Sequence, residues 1–205
     1  MPKYYHYFRA GIATKPPILM FHGTGGYEDE LAPLAQQLAP GSPLLGIRGR
    51  LTEQGRTRYF AHTPDGHFDL TSLANETTWL MTAIDELAAK YKLAVARMIV
   101  VGYSNGANIA THAWLTQQAK FKTGILFHPM QLTDYQPIPD LNEIKVWASY
   151  GSLDPIVTAT NFAALTQTLT TAHADLTVFK AEQSHALSPQ ELAAAKNWLQ
   201  ASQGL

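Results

Sequence analysis

A serine flanked by glycines stands in the segment Gly102-Tyr103-Ser104-Asn105-Gly106. The pattern G-x-S-x-G, placed between a buried strand and a helix, is typical of a strained turn that exposes a nucleophilic serine. An apolar run at 98–101 precedes the segment, and residues of helical composition follow it. Such a pentapeptide also arises by chance in glycine-containing turns, but its position between a strand and a helix removes most of these coincidences. The pattern therefore predicts Ser104 as a nucleophile.

A second glycine-rich turn, His22-Gly-Thr-Gly-Gly26, follows the apolar run at 18–21. Glycine lets the backbone approach a ligand closely and present its N–H groups. In proteins with a serine elbow, the residue after the nucleophile supplies one oxyanion donor, and a loop after an early strand supplies another. The candidates are the N–H groups of Asn105 and Thr24. A phosphate could occupy a similar turn, but the spacings of nucleotide-binding loops are absent. His22 is expected to pack and hydrogen bond within the loop.

Four histidines follow the predicted nucleophile and are candidates for the base that accepts its proton. His112 lies in the helix behind the nucleophile, and His173 precedes the last predicted strand, at the opposite end of the sheet. His128 ends a predicted strand and is a candidate wall of a pocket. His185 follows the last strand, at the carboxyl edge where open α/β sheets assemble their sites. The topology therefore predicts His185 as the base.

The carboxylate that orients the base should lie between the serine and the histidine in the chain. Asp154 ends a turn directly after a predicted strand, also at the carboxyl edge. Asp134 and Asp140 lie in the preceding loop, and Asp175 begins a strand at the other end of the sheet. Aspartate before proline is common in ordinary turns. Its position at the carboxyl edge nevertheless favours Asp154 as the third member of a triad.

The elements that must position these residues alternate along the chain between short apolar runs and longer helical segments, which is typical of an α/β fold. The runs that predict strands are 18–21, 44–47, 98–101, 124–127, 146–150 and 176–179, with an edge strand near 4–8. Several are apolar at nearly every position, as in parallel strands covered on both faces. We expect a mostly parallel central sheet of about six to seven strands with helices on both faces.

Apolar stripes at helical spacing mark the intervening helices. Stripes stand at Leu31, Leu34, Ala35 and Leu38, at Leu80, Ile84, Leu87 and Tyr91, and at Phe162, Leu165 and Leu169. The last helix has the clearest start, because Ser188 and Glu191 form a capping box around Pro189. A single domain of 205 residues is expected, with an elaborated loop at 48–69. The aromatics Tyr59, Phe60 and Phe68 in this loop suggest a pocket wall, although ordinary packing is as good an interpretation.

Composition excludes several classes of function. There is no cysteine, so disulfides, zinc-thiolate sites and a cysteine nucleophile are excluded. The formal net charge of −1 argues against a nucleic-acid partner. No apolar run approaches the roughly 18 residues that span a bilayer, and the first residues lack the apolar stretch of a signal peptide, so a cytoplasmic location is expected. No metal site stands out, since His62 and His67 are expected at the surface. The sequence leaves open whether the chain is a monomer or a homodimer.

The motifs His22-Gly-Thr-Gly-Gly26, Gly102-Tyr-Ser-Asn-Gly106, Gly151-Ser-Leu-Asp154 and Ser184-His185 resemble the phospholipase/carboxylesterase family of α/β-hydrolases, which includes acyl-protein thioesterases. The features Arg48-Gly49, Glu53-x-Gly55 and 58–69 are similar to those of bacterial carboxylesterases linked to hydroquinone or quinone resistance. The resemblance spans about residues 16 to 200. Gly26 and Ser184 depart from the family pattern, which has aspartate and glycine there.

The resemblance implies an α/β-hydrolase fold, a triad of Ser104, Asp154 and His185, and oxyanion donors at Thr24 and Asn105. It also implies a serine carboxylesterase that acts on a small-molecule ester through an acyl-enzyme, with no cofactor. A thioesterase or a lysophospholipase acting on longer acyl chains is an alternative within the enzymes. A catalytically idle hydrolase fold that binds a small molecule is an alternative of another class.

Overall fold

The computed structural model describes residues 3–203, which form nine strands and five α-helices. The strands are β1 (His6–Arg9), β2 (Ile18–Phe21), β3 (Leu44–Ile47), β4 (Leu51–Glu53), β5 (Arg56–Arg58), β6 (Ile99–Tyr103), β7 (Thr123–Phe127), β8 (Lys145–Gly151) and β9 (Asp175–Ala181). The helices are α1 (Ala32–Leu38), α2 (Leu70–Tyr91), α3 (Asn105–Leu115), α4 (Ala159–Thr171) and α5 (Pro189–Gln203), with a short 3₁₀ turn at Val95–Arg97.

Seven strands form the central sheet in the order β1-β3-β2-β6-β7-β8-β9. Strand β1 is antiparallel to β3, and all other neighbours are parallel. Every strand predicted from an apolar run is present, with ends that differ by at most two residues, and the edge strand near 4–8 is β1. The predicted α/β-hydrolase fold with a mostly parallel sheet is confirmed.

Both faces of the sheet are covered by helices, as the continuously apolar strands require. In β2, Leu19 and Phe21 pack into the core formed with α2, α3 and α4. Ile18 and Met20 point to the other face, into the core formed with α1 and α5. The two cores leave the carboxyl edge of the parallel strands open, and the loops after these strands meet there.

The segment 48–69 contains the hairpin β4–β5, which forms a sheet of its own. The backbone N–H of Gly25 donates to the carbonyl oxygen of Thr57 at 2.8 Å, so the hairpin is joined to the glycine-rich turn after β2. The prediction of a pocket wall is wrong for Tyr59 and Phe60, which are 1% and 0% exposed and belong to the core. Their large apolar rings gain more from burial than from a wet cleft.

The last helix begins as its sequence predicts. Ser188 Oγ accepts from the N–H of Glu191 at 3.2 Å, and the Glu191 carboxylate accepts from the N–H of Ser188 at 3.2 Å. The inward stripe of α4 is fully buried. Within residues 3–203, no helix has the length and apolar character needed to cross a membrane.

Candidate active site

Ser104 stands on the sharp turn between β6 and α3, with φ 50° and ψ −114°. Its backbone N–H donates to the carbonyl oxygen of Phe127 at 2.9 Å, which fixes the turn against the neighbouring strand β7. Gly102 and Gly106 flank the serine at positions where there is no room for a side chain. A Cβ at Gly102 would lie 2.8 Å from Ala107, and one at Gly106 would lie 2.1 Å from the carbonyl oxygen of Phe21. A strained serine at the start of a helix is the arrangement that the sequence predicts.

The structure brings together the three side chains predicted as a triad, although they are far apart in the chain. His185 Nε2 lies 2.9 Å from Ser104 Oγ, and His185 Nδ1 lies 2.6 Å from Asp154 Oδ2. The Asp154 side chain is 0% exposed and that of His185 is 14% exposed. Because a carboxylate only accepts, Nδ1 carries the proton and Nε2 presents its lone pair to the serine hydroxyl. The arrangement can remove a proton from Ser104.

Asp154 is held by more than His185. Its Oδ1 accepts from the backbone N–H groups of Ile156 at 2.8 Å and Val157 at 3.0 Å. Burial raises the pKa of Asp154, but these N–H groups and the His185 ring outweigh burial and hold the pKa below its ordinary value. The carboxylate is therefore ionised and fixed in orientation.

The predicted oxyanion donors lie beside the nucleophile. Thr24 and Asn105 line the same cleft as Ser104 and His185. Within the part of the chain that the structure describes, neither backbone N–H donates to a protein acceptor, and Asn105 begins α3, where helix N–H groups lack internal partners. Two free N–H groups near a nucleophile can donate hydrogen bonds to an oxygen that develops negative charge, and so stabilise it.

His22 anchors the glycine-rich turn, as the sequence predicts. It is 1% exposed, and its Nδ1 lies 2.7 Å from the carbonyl oxygen of Gly23. Its Nε2 accepts from the backbone N–H of Gly49 at 3.0 Å. Burial is the main reason why the pKa of His22 falls to about 4. The neutral ring thus links the turn after β2 to the start of the hairpin segment.

The cleft above Ser104 has a volume of about 760 Å³. Polar and apolar side chains line it. The charged residues Glu53, Arg56 and Arg58 come from the hairpin, and the lining also includes His62, Phe68 and Ile156. Phe68 does line the cleft, so the prediction of an aromatic wall holds for this residue alone.

Two of the three charged residues of the hairpin that line the cleft form an ion pair with each other, and the third does not. Arg58 forms an ion pair with Glu53, whose carboxylate also lies 2.8 Å from His62 Nδ1. The backbone and ring N–H groups of His62 lower the pKa of Glu53 to about 2. Among residues 3–203, no carboxylate forms an ion pair with Arg56, whose side chain passes over Gly25. Arg56 therefore gives the cleft an uncompensated positive charge.

His128 and Glu191 are the residues that sequence reasoning missed. His128 Nδ1 lies 3.0 Å from Asp154 Oδ2, and its Nε2 lies 3.3 Å from Glu191 Oε1. All three side chains are 0% exposed. The prediction that His128 forms a wall of a pocket is wrong, because the ring points away from solvent and towards the triad carboxylate. The sequence would indicate that His128 lies near Ser104 only if the strand order were known. His128 directly follows β7, and Ser104 directly follows the adjacent strand β6.

The other candidates considered in the sequence lie elsewhere. His112 is buried on α3 and its Nδ1 lies 2.9 Å from Tyr135 Oη. His173 is exposed, with Nδ1 at 3.3 Å from Asp140 Oδ1. Asp175 begins β9, at the amino end of that strand. None of these side chains is brought to Ser104.

Among residues 3–203, one group of side chains has the spacing that could hold a metal ion. Side-chain atoms of His128, Asp154 and His185 lie within 4.8 Å of one another. Both imidazoles, however, direct Nδ1 at the same oxygen of Asp154, at 3.0 and 2.6 Å, which is the geometry of two hydrogen bonds. Hydrogen bonding therefore accounts for this cluster.

Comparisons with known proteins agree with the fold. The model of the family described as Phospholipase/Carboxylesterase matches residues 61–203. MhqD of Bacillus subtilis strain 168, a protein named as a hydrolase, is 35% identical over 193 residues, which cover 94% of this chain and 96% of that protein. The solved structure of YahD with malic acid has a TM-score of 0.93 and 39% identity, covering 97% of this chain and 98% of the other.

The carboxylesterase of Bacillus cereus is similar to the same degree in structure. Its TM-score is 0.93 and its identity 32%, over 98% of this chain and 95% of that one. The elbow, the open carboxyl edge of the sheet and these likenesses lead to one conclusion. The chain belongs to the phospholipase/carboxylesterase family of α/β-hydrolases.

Proposed function

We propose that this protein is a serine carboxylesterase that hydrolyses small carboxylic esters through an acyl-enzyme. The observation that carries the proposal is the continuous chain of two hydrogen bonds from Ser104 through His185 to Asp154, with distances of 2.9 and 2.6 Å. An activated serine needs a base within hydrogen-bond reach, and the base needs an orienting group. Membership of a hydrolase family that includes carboxylesterases supports the same reaction.

In the first half of the reaction, Ser104 Oγ attacks the ester carbonyl carbon while His185 Nε2 takes the hydroxyl proton. Asp154 stabilises the imidazolium without taking its proton. The bond to the leaving alcohol then breaks, and His185 gives the proton to the alcohol oxygen. The products of this half are the free alcohol and an ester between the acyl group and Ser104.

In the second half, His185 takes a proton from water, which attacks the acyl carbon. The tetrahedral intermediate collapses to the carboxylic acid, and the proton returns to Ser104 Oγ. In both halves a negative oxygen develops beside Thr24 and Asn105, whose backbone N–H groups would stabilise it by about 3 kcal/mol per donor, judged from the loss of one such donor in another hydrolase.

The lining of the cleft supports a small polar ester rather than a long acyl chain. A lysophospholipase or a thioesterase for long chains would need an extended apolar wall. Here the hairpin presents Arg56, which has no ion-pair partner among the described residues, and burying a long hydrocarbon against that charge is unfavourable. The similar protein YahD was solved with malic acid, a small dicarboxylic acid. Short esters are therefore the favoured substrates.

The test is a panel of nitrophenyl esters and thioesters of increasing chain length, run with the wild-type protein and Ser104→Ala. The variant is expected to lose about 10⁶-fold in kcat, the scale seen when a triad serine is removed. A fluorophosphonate probe should label the wild-type protein at Ser104 only. Ser152→Ala is the matched control, because Ser152 is exposed in the turn before Asp154 and should leave both readouts unchanged.

Three results would contradict the proposal or part of it. Esterase activity that persists in Ser104→Ala would remove this serine from the mechanism. A wild-type protein that neither reacts with the probe nor hydrolyses any ester would instead favour an idle fold that binds a small molecule. Activity that rises steadily with chain length would be consistent with the proposed triad but would contradict the assignment of short esters as substrates.

A further inference from the structure

The backbone of His128 is held in the same unusual conformation as that of the nucleophile. Ser104 and His128 are the first residues after β6 and β7, and their φ angles are 50° and 52°. A left-handed conformation at a residue other than glycine is strained and persists where the surroundings enforce it. The N–H of His128 donates to Ser149 Oγ at 3.3 Å, inside the sheet edge. Such strain at a buried residue next to a reactive serine points to a role in the site.

One nitrogen of the His128 ring completes the contacts of Asp154. Its Nδ1 lies 3.0 Å from Asp154 Oδ2, the oxygen that also accepts from His185. Since the other oxygen accepts two backbone N–H groups, the carboxylate has four donors. Four well-placed donors use the full capacity of a carboxylate. His128 therefore helps to fix the plane of Asp154, on which the orientation of the His185 ring depends.

The other nitrogen of the ring faces a second buried acid. His128 Nε2 lies 3.3 Å from Glu191 Oε1, and neither atom makes a hydrogen bond among residues 3–203. The Glu191 carboxylate therefore lies against the side of the ring opposite Asp154.

Glu191 is itself firmly fixed. Its Oε2 accepts from Gln183 Nε2, in the loop after β9, at 2.9 Å and from the N–H of Ser188, directly before α5, at 3.2 Å. Burial raises the pKa of Glu191, but the neighbouring His128 and Ser149 outweigh burial and keep the pKa below its ordinary value. The helix thus offers a fixed acceptor on the side of His128 opposite Asp154.

We propose that His128 is a positioning residue, which donates to Asp154 and links the triad through Glu191 to helix α5. This inference rests on the proposed esterase function. The ionisable groups that face the His128 ring are Asp154 after β8, Glu191 on α5, His185 after β9 and Tyr103 at the end of β6. When the donor is removed, Asp154 turns more freely and His185 spends less time aligned with the serine. Substrate binding, which takes place on the other side of the cleft, is unaffected.

The experiment compares His128→Leu with His128→Asn, and counts active sites by fluorophosphonate titration. We expect His128→Leu to lower kcat per titrated site by about 10- to 100-fold, the effect of misplacing a reacting group, with KM within about twofold of the wild-type value. Asparagine keeps an N–H donor near the place of Nδ1 and tolerates a positive φ better than most residues. His128→Asn should therefore recover most of kcat.

The matched control is His112→Leu, which removes a buried histidine whose hydrogen-bond partner is Tyr135 on the far side of α3. It should lower stability but leave kcat per titrated site unchanged. The proton between His185 and Asp154 offers a second readout, since its low-field NMR signal should move in His128→Leu and not in His112→Leu.

Three outcomes would overturn the inference. The first is a wild-type kcat per titrated site in His128→Leu. The second is an equal loss in the leucine and asparagine variants, because donation to Asp154 would then not be the cause. In both of these cases the wild-type protein is still labelled at Ser104, so the proposed esterase function stands. The third, a wild-type protein that takes no label, would overturn both proposals together.

Discussion

The two sides of the cleft differ in how their charged residues are buried and paired. On the buried side, the side chains of Asp154, His128 and Glu191 are 0% exposed. Asp154 accepts a hydrogen bond from His128, and both carboxylates accept hydrogen bonds from backbone N–H groups. On the hairpin side, Glu53 is partly exposed and Arg56 is exposed, and Arg56 has no ion-pair partner among the described residues. Electrostatic contacts are strong where water is excluded and weak where it is not. We therefore expect the buried side to set the rate of the proposed reaction and the hairpin side to set the choice of substrate.

The largest effect expected on the buried side comes from Asp154→Asn. An asparagine at this position can donate to Nδ1 of His185, so the ring adopts the tautomer that presents N–H, and not a lone pair, to Ser104. Loss of the correct tautomer in a related triad lowers kcat by about 10⁴-fold. Steady-state kinetics with a short nitrophenyl ester should show this loss in kcat and little change in KM.

Asp140→Asn is the matched control for that experiment, because Asp140 is exposed and lies near His173, away from the cleft. It should keep the wild-type kcat. If the kcat of Asp154→Asn were close to that of the control, the buried side would not set the rate, and the contrast between the two sides of the cleft would be wrong.

A smaller effect concerns stability, because His22 and His112 are buried without an acidic partner. Burial lowers the pKa of each to about 4, below the value of about 6.5 in an unfolded chain. The unfolded state therefore binds more protons between these pH values, so folding stability falls as the pH drops from 6.5 towards 4. The free energy of unfolding should fall by about 1.4 kcal/mol per histidine for each pH unit within this range.

Urea titrations at pH 7.5, 6.5 and 5.5 measure this slope. His112→Gln should reduce the slope by about half, since it leaves only His22 to be protonated on unfolding. An unchanged slope in the variant would show that His112 is not buried in its neutral form. Asp154 should not contribute to this slope between pH 7.5 and 5.5. Its pKa is below the ordinary value, so the carboxylate stays ionised over these pH values.

The fold was largely predictable because its signals are local. Each parallel strand is an apolar run, and the start of α5 is marked by Ser188 and Glu191 acting on each other three residues apart. The positions of Ser104, Asp154 and His185 at one edge also follow from chain order, since each comes directly after a parallel strand. Their catalytic roles remain predictions until they are tested.

The contacts that were not predicted depend on which strands are neighbours. His128 meets Asp154 because β7 lies between β6 and β8, and a sequence gives chain order but not strand order. Glu191 was interpreted as a cap alone, although its second oxygen faces His128. Likewise, Tyr59 and Phe60 are core residues because the hairpin folds back against β2 and β3, a long-range contact with no local signal.

The smallest effect is expected on the hairpin side, from Arg56→Gln. An exposed ion pair contributes up to about 1 kcal/mol, so the variant should lose roughly fivefold or less in kcat/KM for an anionic ester such as a nitrophenyl hemisuccinate. The neutral nitrophenyl valerate, of similar size, should react as before. Arg56→Lys should retain the preference, and added salt should weaken it in the wild-type protein. Arg97→Gln, at the opposite end of the sheet, is the control. An equal loss for both esters in Arg56→Gln would mean that this arginine supports the hairpin and does not select the substrate.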